Sequence, residues 1–346
     1  MQPLTLVGHL TKKESPVNQF LHLRFPNTRA FLETPRKRVR AVHAENNALL
    51  PRIHERYQYS PLGTAIDFRI HCYFEEPEEE IDTLLRVLAS RGSDADEFAD
   101  YYVQRVKKIA VPGNRLEKQE EDDLNRFIIG WRHLSWYKNP TSAMGALYGT
   151  QDYLLDDMRA MSWTFFDKCS HLLTRPFKVS PRFEGSLDVG GAQGDLLIDG
   201  TLVEIKATIK AEVELRCLWQ LLAYAMLDYW DQHGINAIAL YMPRQGLYLN
   251  WDLEEALGVL CGPNPPSIME LRLDFNEMLV DEWERGNPSL VPWSVGEDGE
   301  SWGTSLPSES ARSSTIVRAP VDSEIRMEKK RPDKRSTKKR TRWKAK

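Results

Sequence analysis

The chain has 346 residues, 41% of them hydrophobic and 28% charged, with a net charge of −4. That length supports one large or two ordinary domains with a real core, and no apolar run is long enough to span a bilayer. The four cysteines, Cys72, Cys169, Cys217 and Cys261, are far apart with no CxxC pair, which argues against zinc or an iron–sulfur cluster and fits a reducing cytoplasm.

The N-terminus, MQPLTLVGHLTKKESP, has no charged segment followed by an apolar one, so no signal peptide is expected. Leu4 to Leu10 reads as a short strand. Arg36, Lys37, Arg38 and Arg40 form a basic cluster after Pro35, either a phosphate contact or a solvated surface. Ser60 to Phe74 reads as a helix, with Leu62, Ile66, Ile70 and Tyr73 at helical spacing. Residues 75–178 read as a helical insertion or subdomain after an N-terminal segment, 1–74, and as a candidate lining of a substrate channel. Its helices run over Glu75–Ser90, Asp94–Ala110, Glu117–Tyr137 and Gln151–Leu173, and Leu154, Met158, Met161, Phe165 and Cys169 form the stripe of the last. Aromatics at this spacing, Trp131 among them, are read as core, and His133 and His171 as structural histidines.

The core of the fold is expected over residues 179–286. Phe183 to Leu187 reads as a strand that brings Glu184 and Asp188 towards the site, where either is a candidate second-metal ligand. Gly190-Gly191-Ala192 reads as a bend. Asp199-Gly200 is a strong two-residue hairpin signal, because both central positions of a type I′ turn need positive φ. With that turn, Leu196 pairs with Val203 and Asp195 lies opposite Glu204. Directly opposed residues project from one face with Cβ atoms roughly 5 Å apart. Lys206 joins the same face two residues on, while Val203 and Ile205 point into a core. Two facing carboxylates repel unless a cation lies between them, and oxygen-only ligation suits Mg²⁺ or Mn²⁺. The carbonyl of Ile205 would supply a further hard oxygen. A metal, a water and a nearby ammonium are what phosphodiester hydrolysis requires. The alternative is an Asp, a Glu and a Lys on the wet face of an ordinary hairpin.

A helix over about Glu212–Gln232, stopping near Gly234, is apolar nearly all round. It carries one polar seam, Arg216, Gln220, Tyr224 and Asp228, at four-residue intervals. A polar seam on a buried helix needs partners, either in the neighbouring backbone or at the metal site. The run GAQGDLLIDGTLVEIKAT followed by QLLAY resembles the PD-(D/E)xK nuclease superfamily, in particular its RecB-like branch with the QxxxY helix. The resemblance covers Phe183 to Tyr248, with Gly194 standing where a proline often precedes the first acid.

It implies an α/β, restriction-endonuclease-like αβββαβ core with a mixed sheet. It also implies metal ligation by Asp195 and Glu204, a water-assisting Lys206, and Gln220 and Tyr224 as the final motif. RecB-like nucleases often carry a histidine four residues after a glycine on an early helix. Gly63 and Asp67 share that spacing, so Asp67 is a candidate metal ligand or a plain surface acid, with His71 a weaker substitute. The expected activity is Mg²⁺-dependent nuclease action on DNA; the alternative is a non-catalytic nucleic-acid-binding or adaptor protein. No ATPase motif is present, so a helicase or defence-system partner would be a separate chain.

After the core, Ala237–Met242 and Gly246–Trp251 read as a last hairpin, with Arg244 as a turn residue. Asp252 and Glu255 cap a short helix, and Ile268–Glu284 is a final amphipathic one. Residues 287–346 are expected to be a disordered linker and tail. Arg326–Lys346 carries +10 against −14 for the rest of the chain. This arm would add salt-dependent nucleic-acid affinity and resembles a nuclear-localisation signal.

Overall fold

The turn at Asp199-Gly200 sets the register of the sheet. In the computed structural model both residues have positive φ, 49° and 76°, as a type I′ turn requires. A Cβ at Gly200 would meet Asn236 Nδ2 at 2.6 Å. The structure describes residues 4–50, 59–79, 81–82, 104–137 and 150–290. All of them fall within one compact unit, Met1–Trp302.

Five strands lie in sequential order: β1 Phe177–Val179, β2 Leu196–Ile198, β3 Thr201–Ile205, β4 Ala237–Met242 and β5 Leu247–Asp252. The pairs β1–β2, β2–β3 and β4–β5 are antiparallel, and β3–β4 is parallel. The pairing Leu196 with Val203 and Ile198 with Thr201 is the expected one. The fold is therefore mixed α/β with a five-stranded mixed sheet.

The parallel step needs a crossover, and helix α8, Leu215–Leu227, supplies it. The remaining helices are α1 Leu6–Thr11, α2 Pro16–Arg24, α3 Thr28–Phe31, α4 Glu33–Ala44, α5 Tyr59–His71, α6 Lys118–Tyr137 and α7 Asp152–Cys169, then α9 Leu253–Cys261 and α10 Ile268–Glu284. Among the described residues no helix is long and apolar enough to cross a membrane.

Strand alternation gives each face of the sheet its own helical layer. Leu202, Leu240 and Met242 pack with α8, α10 and the N-terminal helices. Leu196, Val203, Ile205 and Tyr241 pack with α5, α6 and α7. The stripe of α7 is buried at Met158, Met161, Phe165 and Cys169. The helices of 118–169 are thus the second layer over the sheet, sharing its core. Buried ion pairs tie that layer together. Arg69 of α5 grips Glu121 of α6 through bonds of 2.9 and 2.7 Å, and Arg159 of α7 pairs with Asp122 of α6.

Three local expectations are corrected. Leu4 to Leu10 is not a strand: Thr5 accepts from the Gly8 amide and caps helix α1, a local option that hydroxyl residues offer the backbone. Phe183 to Leu187 is a single 3₁₀ turn over Glu184–Ser186, because the Ser186 hydroxyl takes the Phe183 amide instead of a neighbouring strand. The crossover helix ends at Leu227, seven residues before Gly234, because Asp228 leaves helical φ/ψ to meet Arg272 at 3.1 Å. The helices expected over 75–90 and 94–110 lie largely outside the described residues, as does the basic tail.

Replacing Gly200 by alanine forces an L-residue into the left-handed region against Asn236. We expect a loss of roughly 1–3 kcal/mol, read by urea denaturation. A change below about 0.5 kcal/mol would show that the turn does not fix the register.

Candidate active site

Asp195 stands immediately before β2. Its main-chain oxygen accepts from Ser180 N at 2.9 Å, and its Oδ2 accepts from the Ile205 amide at 2.6 Å. This side-chain bond occupies the Ile205 amide at the end of the β2–β3 ladder. Glu204, only 2% exposed, pairs with Lys206 Nζ. Lys206 N donates to Tyr241 O across β4 at 2.9 Å. In a trans peptide the preceding carbonyl points the opposite way, so Ile205 C=O faces the β2 side, where Asp195 lies. The expected carbonyl is therefore directed into the same neighbourhood.

Asp67 arrives from α5, in the helical layer on the other side of the sheet. The charges of Asp195 and Glu204 both act on it, so three carboxylates and one ammonium share one end of the sheet. Each acid is raised. Asp67 is held well above the usual carboxylate range by burial first, then by Asp195. Glu204 is pushed up to about 8 by burial and then by Asp195, against the pull of Lys206. Burial also raises Asp195, with Lys206, the Ile205 amide and Arg132 opposing it. Burial works against the charge of Lys206, but Glu204 and Asp195 outweigh it and the ammonium is held above its ordinary range.

From α8, Gln220 Nε2 donates to Tyr224 Oη at 2.7 Å. Tyr224 stacks on Phe183 with ring centroids 5.4 Å apart. Burial, then the charge of Glu204, keeps its phenol protonated. The middle of the polar seam therefore borders the carboxylates. Its ends do not: Arg216 pairs with Glu214 at 2.6 Å, and Asp228 is buried against Arg272.

Glu184 and Asp188 also stand apart from the cluster. The charged groups acting on Glu184 are Asp228 and His233, and Asp188 accepts from Tyr229 Oη at 2.9 Å. The 3₁₀ turn directs both towards the end of α8. Arg244 is no ordinary turn residue. It is buried, forks onto Asp157 at 2.7 and 2.6 Å, and donates to Ala207 O at 3.3 Å, fixing the segment that follows Lys206. The basic cluster sits on α4, with Arg36 Nε donating to Val213 O at 3.1 Å and Lys37, Arg38 and Arg40 exposed.

Two residues emerge that the motif does not contain. Arg132 of α6 donates to Thr64 O at 3.2 Å and acts on Asp67, Asp195 and His71. His71 is lowered to about 3 by burial and then by Arg132, against a hydrogen bond to the Asp195 main chain. A neutral ring thus abuts the first acid. Both line a cavity of about 510 Å³ that reaches Asp195. The only sequence signal for Arg132 is a cation inside an otherwise core-facing helix stripe.

The donor set can be tested against a divalent cation. Asp67 Oδ1 and Glu204 Oε2 are buried with no hydrogen-bond partner, and hard carboxylate oxygens suit Mg²⁺ or Mn²⁺. As placed, no three His, Cys, Asp or Glu side chains among the described residues already enclose an ion; Glu204 is turned onto Lys206 instead. The residues fit the cation in kind and neighbourhood, with Glu204 needing to turn. Compared with family models, curated proteins and solved structures, the chain finds no match in any of the three.

Glu204 releases its proton near 4.5 in an unfolded chain and near 8 when folded. Across that window the folded state holds more protons, so stability falls as pH rises. In EDTA, melting temperature should fall between these pH values. Glu204→Gln should flatten most of that fall. Parallel curves for the two proteins would contradict the burial of an ionisable Glu204.

Proposed function

We propose that the chain is a divalent-metal-dependent nuclease of the PD-(D/E)xK type, RecB-like branch, acting on DNA. One observation carries the reading: Asp67, Asp195 and Glu204 come from three elements to one end of the sheet around Lys206. Structural acids are seldom gathered this way, since each raises the cost of the others' charge. The order of elements supports it as well. Helix α5 precedes β1, β2 and β3, then α8 crosses to the parallel β4, which is the αβββαβ sequence implied by the motif, with α6 and α7 placed between α5 and β1.

Under this reading Asp195, Glu204 and Asp67 hold the cation, with the Ile205 carbonyl beside them. The cation, when bound, supplies Lewis acidity and charge neutralisation at the phosphate. Lys206 stays protonated in this setting, so its work is to orient the attacking water and face the negative charge that develops, rather than to abstract a proton. Gln220 and Tyr224 form a rigid neutral pair that limits where Lys206 and Glu204 can settle.

Purified protein with Mg²⁺ should cut DNA, and comparing linear with circular substrates separates end-dependent from internal cleavage. Asp195→Asn and Lys206→Ala should each lower the rate by more than about a hundredfold, in the range of lost transition-state contacts. No cleavage of any substrate, together with unchanged metal binding in both variants, would contradict the proposal. A second reading is a non-catalytic nucleic-acid-binding or adaptor protein, favoured by the closed Glu204–Lys206 pair and the lack, among the described residues, of a preformed three-donor cluster. It expects binding that ignores Mg²⁺ and disappears when Arg326–Lys346 is deleted. A nuclease keeps cleaving short substrates at low salt without that tail.

A further inference from the structure

We propose that the cavity beside Asp195 is a subsite for one unpaired nucleobase, so that the substrate strand reaches the carboxylates single-stranded. The ligand class rests on the nuclease reading; the shape and chemistry of the cavity supply the rest.

The cavity of about 510 Å³ lies within the roughly 300–1,000 Å³ of small-molecule sites. That is room for a nucleotide and far too little for a duplex. Its wall includes Trp131, half-buried and packed on the hydrophobic core behind it. A ring fixed in this way is a stacking surface that accepts any base, because every base has a π-face. Phe68 adds a second apolar wall, with the Arg132 guanidinium over its ring at 5.3 Å.

Polar groups in the wall suit a base and its flanking phosphates. His71 is nine-tenths buried, lines the cavity, and its Nε2 has no hydrogen-bond partner among the described residues. A base edge would satisfy it, where an empty cavity leaves its desolvation uncompensated. Arg182 is exposed at the wall and, with Arg132, offers positive charge to a backbone entering towards Asp195. Glu75 and Glu79 are exposed in the same lining. Their charge disfavours the second phosphate backbone that a duplex would bring.

The test is equilibrium binding of the full-length protein in EDTA, by fluorescence anisotropy. The probes are a labelled oligothymidylate of about 12 nucleotides, near the span of single-strand sites, and a blunt DNA duplex of the same length. Moderate salt, about 150 mM, weakens the contribution of the basic tail to both probes. The single strand should bind at least about tenfold tighter. Trp131→Leu should remove roughly tenfold of its affinity, in line with one lost stacking contact, while Trp131→Phe should retain most of it. Arg182→Ala, at an exposed position, should weaken the strand and leave folding intact.

Equal binding of the two probes, or Trp131→Leu indistinguishable from Trp131→Phe, would overturn the subsite. Cleavage is scored separately with Mg²⁺. A protein that prefers the single strand through Trp131 and cuts nothing keeps this subsite and loses the nuclease reading. One that cuts duplex and binds both probes alike does the reverse.

Discussion

The tight turn at Asp199-Gly200 sets the register that brings Asp195 and Glu204 together at one end of the β2–β3 ladder. With positive φ at Asp199 and Gly200, β2 and β3 pair Leu196 with Val203, and Asp195 and Glu204 follow directly beyond that pair, near enough for the charge of Asp195 to act on Glu204. A slip of one residue would place Leu202 on the wrong face and break both hydrophobic layers. The sheet therefore enforces a contact that Coulomb repulsion opposes. Its local answer is visible: the Ile205 amide bonds Asp195, and Lys206 bonds Glu204. Asp67 makes that answer incomplete, for it adds a third acid with no matching cation of its own in β3.

The surrounding structure holds this conflict in place rather than relieving it. Asp67 lies two residues from Arg69, whose fork onto Glu121 anchors α5 to α6. The fork of Arg244 onto Asp157 spans α7 and the β4–β5 turn, and reaches the main chain beyond Lys206. Breaking such a buried pair costs several kcal/mol, because one charge is left stranded. The acids are thus mounted on elements tied down by buried ion pairs.

Much of this was legible in the chain because it depends on short-range rules. The type I′ turn, the alternation of β3, the 237–252 hairpin and the Asp252 cap of α9 follow from neighbouring residues. The placement of Asp67 came from motif resemblance, and its neighbours from packing. Errors arose where local polar bonding competed with a hydrophobic pattern. Thr5 turned an apparent strand into a helix, Ser186 turned another into a 3₁₀ turn, and Asp228 shortened α8 by choosing Arg272. Arg132 was not legible, and of the cavity only that the helical block lines a channel, because the rest comes from a helix packed against Asp195 from some sixty residues away in sequence. In the sequence Trp131 reads as core, and half of it is; its other half lines the cavity.

The account depends most on whether the gap between these acids accepts a cation. Crystals grown without metal and soaked in Mn²⁺ would answer it through anomalous scattering. The account predicts a peak bridging Asp195 and Glu204, with Glu204 turned away from Lys206 and Asp67 or the Ile205 carbonyl within coordination distance. Glu204 still paired with Lys206, and no peak near Asp195, would contradict it.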